Sequence, residues 1–322
     1  LMGSPDPRQI DGLGGAHPLT CKVAVVAPGN EPEVDVEYLF LQVSVDQRLV
    51  SDRQNCGNML AAVGPFALER GMVPEPSAEA ETTELRIRLV NTGGLARATI
   101  PVEGGRPRYD GDTTISGVPG AGAPIRLDFD GVAGSSCGAL LPTGRVVDRV
   151  EGVAATLIDN GMPVVVLDGA ELGLTGTETA AELETDGELR SRLEAIRLAA
   201  GPLMNLGDVR DTTVPKLTMV SPPTGRGVLS TRTFIPHRCH EAIGVLGAVS
   251  VGTAALLPGS PAHAVAGPVP GPTVVLEHPT GTFEAVVEID LGGPEPVARR
   301  SGIVRTARKL MDGTAFPGPP RS

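Results

Sequence analysis

Cys56 sits between Asn55 and Gly57 and ahead of an apolar run that reads as a helix from residue 58. A thiol at a helix start meets unpaired backbone N–H groups and the positive end of the helix dipole, which favour its anionic form. The chemistry this suggests is proton transfer or nucleophilic attack. The other reading is an inert buried cysteine, since free Cys is among the most buried residue types. The flanking Asn55, Gly57 and Asn58 favour the first, because small and amide residues at a helix start expose donors to an anion such as a carboxylate.

Lys22 is one of only three lysines among 27 basic residues, with Lys216 and Lys309. It opens an apolar strand-like run, where partial desolvation would ease loss of its proton and suit it to general-base work. Arginine is never appreciably deprotonated and cannot take that role. An ordinary surface lysine with its stem laid along apolar neighbours is the alternative.

The densest polar cluster is His237, Arg238, Cys239 and His240, just before a second apolar run. It is too crowded for a metal site and lacks a remote third ligand. An anion-binding turn, with Arg238 and a helix start sharing a carboxylate, stands beside a plain structural turn. Ser135-Ser136-Cys137-Gly138 and Asp159-Asn160-Gly161-Met162-Pro163 are donor-rich turns that suit a polycarboxylate or are simply turns. No GxSxG elbow and no GK[ST] phosphate loop occur, so hydrolase and nucleotide chemistry lack a motif.

The elements that must hold these residues are mostly strands. The chain has 322 residues, room for about two domains. Gly (42) and Pro (30) are abundant and aromatics are 2%, so short elements and an aliphatic core are expected and base-stacking platforms are not. The net charge of −11 disfavours nucleic acid. Four scattered cysteines, with no CxxC pair, fit a reducing cytoplasm. The apolar stretch 242–257 falls short of the roughly 20 residues a bilayer requires, and no signal-peptide pattern opens the chain. Because residue 1 is Leu, the natural chain is expected to begin earlier.

Strand-like runs are expected at 21–27, 36–46, 84–90, 95–102, 125–129, 145–150, 154–158, 163–167, 216–220 and 228–235. An all-round apolar helix over 58–70, with Pro65 inside, has to be buried. A second is expected over 241–257, ended by Pro258. Between them, 178–199 reads as an amphipathic helix or helix pair broken near Gly187, with Leu183, Leu189, Leu193, Ile196 and Leu198 inward. Each half thus repeats strands, a polar turn with a Cys, a buried helix and more strands. This suggests a duplication, with paired sheets around central helices and ligand in a cleft between halves.

Ser4-Pro5-Asp6-Pro7-Arg8-Gln9-Ile10-Asp11-Gly12, Leu19 to Val23, Asn55-Cys56-Gly57-Asn58, Asp159 to Pro163 and Arg305-Thr306-Ala307-Arg308 together resemble the methylaconitate isomerase and 4-oxalomesaconate tautomerase family, over residues 2–316. Ile235 to Arg238 and Ala242 to Ala248 look most like its oxalomesaconate branch, which serves bacterial aromatic catabolism. The resemblance implies an α+β, diaminopimelate epimerase-like fold. Its first barrel would span 1–130, completed by 303–316, and its second 131–302. It also implies a further amino-terminal stretch, so that the first barrel's strands are incomplete here.

By that resemblance the activity is a cofactor-free, metal-free 1,3-proton transfer that moves a double bond in an unsaturated keto-tricarboxylate. Lys22 and Cys56 would be the proton-transfer pair. Asn55, Gly57, Asn58, Ser135, Asn160, Gly161 and His237 would contact substrate, with Arg238 and Arg308 as carboxylate clamps. Methylaconitate or aconitate isomerisation, an inactive tricarboxylate-binding protein, and a racemase using Cys56 with Cys239 are the alternatives. The partner is a small tricarboxylate, with neither nucleic acid nor membrane, and a homodimer is one form the assembly could take.

Overall fold

A computed structural model describes residues 1–52 and 56–318. The chain divides into two units. The first comprises 1–114, 120–127 and 305–322, and the second 115–119 and 128–304.

The first unit carries β1 (Lys22–Pro28), β2 (Val36–Val43), β3 (Val50–Ser51), α1 (Gly57–Glu69), β4 (Thr82–Leu89), β5 (Gly94–Glu103), β6 (Arg106–Pro107) and the start of β7 (Ile125–Asp130). Its sheet runs β1-β2-β4-β5-β7, with β3 on β2 and β6 on β5. β1 pairs antiparallel with β2, and β4 with β5, but β2 and β4 are parallel. A parallel pair needs a long crossover, and α1 is part of it. The strands alternate cleanly: Val36, Tyr38 and Phe40 are buried on β2, and Leu85, Ile87 and Leu89 on β4.

Helix α1 packs against β1, β2, β5 and β6. Leu60, Ala61, Val63, Gly64, Pro65 and Ala67 are buried, but burial is not on every side as expected: Ala62 and Phe66, four residues apart on one face, are exposed. At Gly64 the helix approaches β5 closely: a Cβ built there would lie 2.4 Å from Ile100 Cδ1 and 3.0 Å from its Cγ1, so any side chain at this position requires the Ile100 side chain to move.

The second unit carries β8 (Asp148–Val150), β9 (Val153–Asp159), β10 (Pro163–Asp168), α2 (Ala180–Thr185), α3 (Gly187–Leu203), β11 (Lys216–Ser221), β12 (Leu229–Phe234), α4 (Val245–Ala255), α5 (Pro261–Val265), β13 (Thr273–His278), β14 (Gly281–Asp290) and β15 (Val297–Arg305). Its strands run β15-β14-β13-β12-β11-β10-β9-β8. β12 and β13 are parallel, with α4 and α5 in the crossover, and α4 packs against β9, β10, β13 and β14. Each unit therefore repeats one motif, a buried apolar helix spanning two parallel neighbours.

The amphipathic region is two helices. The Thr179 side chain and Glu182 form a reciprocal capping box on α2, and Asp186 caps α3 by accepting from Leu189 N–H at 2.9 Å. Leu183, Leu189, Leu193 and Ile196 are buried as expected, but Leu198 is at the surface. On α3 the inward stripe runs 189, 193, 196, 200, and residue 198 falls off it.

Two expectations need correction. The strand over 145–150 contracts to Asp148–Val150 because Arg145 and Thr143 turn back to bind the Asp148 carboxylate. The second apolar helix begins at Val245, not Glu241. The backbone before it has other partners: His240 Nδ1 accepts from Ala242 N–H at 2.8 Å, and the Thr280 hydroxyl donates to the Glu241 carbonyl at 2.8 Å. Gly244 is extended and forms the cap.

The Gly64 contact is testable. Gly64→Val should lower unfolding free energy by about 1–3 kcal/mol through overpacking. Adding Ile100→Ala should cost less than the sum of the two changes, since the cavity receives the new methyls. Chemical denaturation of the four chains measures this coupling.

Candidate active site

β1 begins at Lys22 and packs against α1, whose cap is Cys56. The result places Lys22 Nζ 3.8 Å from Cys56 Sγ, with both residues half-buried. Cys56 is extended (φ −129°, ψ 104°) and its side chain makes no cap bond to the helix. The sulfur is therefore directed to the lysine while the first-turn N–H groups after it point away from the helix body. Cys21, the preceding residue, points the opposite way. It is fully buried, and its thiol meets Gln9 Oε1 at 2.7 Å.

Gln9 is a buried strut that the sequence does not advertise. Its Oε1 also accepts from Ala16 N–H at 2.8 Å, and its Nε2 donates to the Ser4 hydroxyl at 3.1 Å. The opening loop is thereby tied to the start of β1, where Lys22 stands.

Tyr38 is a second buried strut. Its ring is fully buried on β2 and its hydroxyl donates to the Cys56 carbonyl at 3.1 Å, which also accepts from Leu60 N–H at 3.1 Å. Burial first, and then the neighbouring Cys56, pushes the phenol well above its ordinary range. It stays protonated and acts as a donor. The signal was present: a phenol on the core parity of an apolar strand must find a partner.

Gly57 and Asn58 form the first turn of α1, and Asn58 Oδ1 accepts from the buried Arg305 Nε at 2.8 Å. Asn55 lies outside the described residues. Arg308 is exposed in the segment after β15, whereas Arg305 is the arginine brought to the start of α1.

In the second unit the Asp159-Asn160-Gly161 turn meets the loop at 132–138. Asp159 is fully buried; its Oδ2 accepts from Ser136 N–H at 2.7 Å and Cys137 N–H at 2.9 Å. Burial pushes this carboxyl above its ordinary range, against the opposing pull of those N–H groups. Ser135 beside it is exposed. Gly161 has φ +88°, and a Cβ there would lie 3.1 Å from Val132 Cβ and 3.2 Å from Leu246 Cδ2, so only glycine fits between the turn and the start of α4.

Asn160 departs from its expected role as a substrate donor. It is fully buried, its N–H donates to Ser250 Oγ at 3.0 Å, its Nδ2 to Thr253 Oγ1 at 2.8 Å, and its Oδ1 accepts from Ser301 Oγ at 2.9 Å. It is a strut joining the turn to α4 and β15.

The 237–240 turn also has internal partners. Arg238 is 81% exposed and pairs with Glu184 at 3.3 Å, while Cys239 N–H donates to the same carboxylate at 3.2 Å. His237 lies 3.7 Å from Glu194. The carboxylate that Arg238 holds here is the protein's own. Cys239 pairs with Phe234 at the end of β12 and is not the cap of α4. Burial pushes its thiol up to about 11. It lacks the helix-start setting of Cys56. Among the described residues no group of three or more His, Cys, Asp or Glu converges as metal ligands would, and no helix is long and apolar enough to cross a membrane.

Against known proteins, residues 1–317 match the family model described as PrpF protein. The chain is 56% identical over 318 residues to a (4E)-oxalomesaconate Delta-isomerase of Novosphingobium sp. (strain KA1), covering 98% of this chain and 87% of that protein. It is 52% identical over 320 residues to a 4-oxalomesaconate tautomerase of Pseudomonas putida, covering 99% and 87%. A crystal structure of methylitaconate-delta-isomerase superposes with a TM-score of 0.85 at 31% identity, over 99% of this chain and 89% of that one. With its α+β, diaminopimelate epimerase-like architecture and a match along nearly the whole sequence, the chain belongs to the PrpF family.

Proposed function

We propose that this protein is an isomerase that moves a carbon–carbon double bond by 1,3-proton transfer in 4-oxalomesaconate or a closely related unsaturated keto-tricarboxylate. The observation that carries the reading is the Lys22–Cys56 pair, two proton-handling side chains 3.8 Å apart at a helix start. The oxalomesaconate relatives, at 56% and 52% identity, supply the substrate class. The setting that accompanies that substrate is bacterial aromatic catabolism.

In this reading Lys22 removes an acidic proton from the carbon next to a carbonyl. The electron pair delocalises into a dienolate, and a proton returns at the distal carbon. Cys56 is the second proton-handling group. The negative charge that develops is met by N–H groups at the start of α1, fixed before the reaction and costing no reorganisation during it. Gly57 and Asn58 belong to this segment, and Asn55 remains a proposed substrate contact. Ser135 and Gly161 remain proposed substrate contacts, and Arg305, tied to Asn58, is a better-placed cation than Arg308.

Turnover of 4-oxalomesaconate, followed by ultraviolet absorbance and proton NMR in deuterated water, tests the assignment. The parent should introduce solvent deuterium into substrate; binding without exchange would mark an inactive binding protein. Lys22→Met should lower kcat by about 100-fold or more, the usual worth of a general acid–base. An unaltered rate would remove Lys22 from the mechanism.

Tyr38→Phe should reduce kcat by roughly 2- to 10-fold, the equivalent of one net hydrogen bond, with KM unchanged. The hydroxyl touches the Cys56 carbonyl and not the substrate, so steady-state kinetics should separate the two constants. A rise in KM alone would contradict this role.

A further inference from the structure

Four free cysteines differ sharply in what surrounds them. Cys21, Cys137 and Cys239 are buried. Burial pushes the Cys137 thiol up to about 12 and the Cys239 thiol up to about 11, so neither is a ready nucleophile. Cys56 alone of the four is half-buried at a helix start, and its sulfur lies 3.8 Å from the Lys22 nitrogen. An oxidised sulfur is an electrophile, and a neighbouring nitrogen can condense with it in place of a second thiol. Lys22 sits at the first position of β1, with a flexible four-carbon stem, so its nitrogen can close the remaining distance without moving the backbone.

We infer that Lys22 and Cys56 form a peroxide-responsive modification site, in which mild oxidation joins the amine to the sulfur as a reversible covalent N–S bond. In the first step the Cys56 thiolate attacks a peroxide. The O–O bond breaks, sulfur loses two electrons to become sulfenic acid, and the peroxide is reduced to water or an alcohol. In the second the Lys22 lone pair attacks that sulfur, the S–O bond breaks, and the hydroxyl leaves as water with a proton from the amine. The chain has then lost two hydrogens in all. A thiol reverses the change: it attacks sulfur, expels the lysine amine, and a second thiol resolves the mixed disulfide. The bond blocks both groups while it lasts and shields the sulfur from the irreversible sulfinic and sulfonic states.

The test is mass spectrometry of the purified chain after a small excess of hydrogen peroxide. The expected result is a loss of two hydrogens, a cross-link between the segments carrying Lys22 and Cys56, and no tryptic cleavage after Lys22, all reversed by dithiothreitol. Lys22→Arg and Lys22→Met, neither of which offers an amine, should form no such bond and should gain oxygens at Cys56 instead. Oxygen addition at Cys56 in the parent, with cleavage after Lys22 intact, would overturn the inference. So would a Cys21–Cys56 disulfide, which loses the same two hydrogens but leaves Lys22 open to trypsin. The readout is covalent mass, so it stands or falls independently of which substrate the site turns over.

Discussion

The approach of α1 to its surrounding strands sets everything at the candidate site. A lysine on a strand and a cysteine on a helix cap come to 3.8 Å only if the helix axis is held close and its first turn is fixed. The axis is held close by the bare Cα of Gly64 against Ile100. The first turn is fixed by Tyr38 below the Cys56 carbonyl and by Arg305 on Asn58. None of these is a proton-transfer group, yet each restricts the same few atoms. Leu60, Val63, Gly64 and Ala67 form the buried face of the helix, with Ala62 and Phe66 toward solvent, so rotation about its axis would expose the apolar face and is resisted.

The second unit solves a different problem with the same economy of polar groups. Its loops bring carboxylates inward and satisfy them with the chain's own N–H groups. Asp159 gathers Ser136 and Cys137. Glu277 receives Thr224, Gly225 and Gly227 N–H together with the Thr224 hydroxyl. Burial opposes the charge of Glu277, but those donors hold its carboxyl below the ordinary range. Arg197, fully buried on α3, donates to the carbonyls of Val209, Thr212 and Val214 and pairs with Glu194. In a chain short of aromatic residues, such charged knots do work that large apolar side chains perform elsewhere, since an irregular loop buried without partners would be costly.

What the sequence made legible follows from periodicity. The two buried helices, the strands that alternate, and the break at Asp186-Gly187 all announce themselves through residue spacing. Boundaries set by side chains distant in sequence do not. Nothing local to Glu241 foretells that Thr280 will take its carbonyl. The same holds at the site. Cys56 and Lys22 were visible as residue types in telling places, but Tyr38 and Gln9 become significant only through contacts 18 and 12 residues away. Arg238 shows the converse: conspicuous in sequence, it spends its charge on Glu184 at the surface.

The choice of lysine over arginine at position 22 carries a final consequence. In a chain that uses arginine for most of its cations, an amine beside a thiol gives two groups that can each hold or release a proton, where a guanidinium could only anchor an anion. The same substitution also introduces nucleophilic nitrogen next to oxidisable sulfur. Proton transfer and susceptibility to peroxide thus arise from one requirement, two exchangeable protons within reach of each other, and a chain that keeps the first inherits the second. The three remaining cysteines are buried, and among the described residues none of them has a lysine amine as the partner of its sulfur.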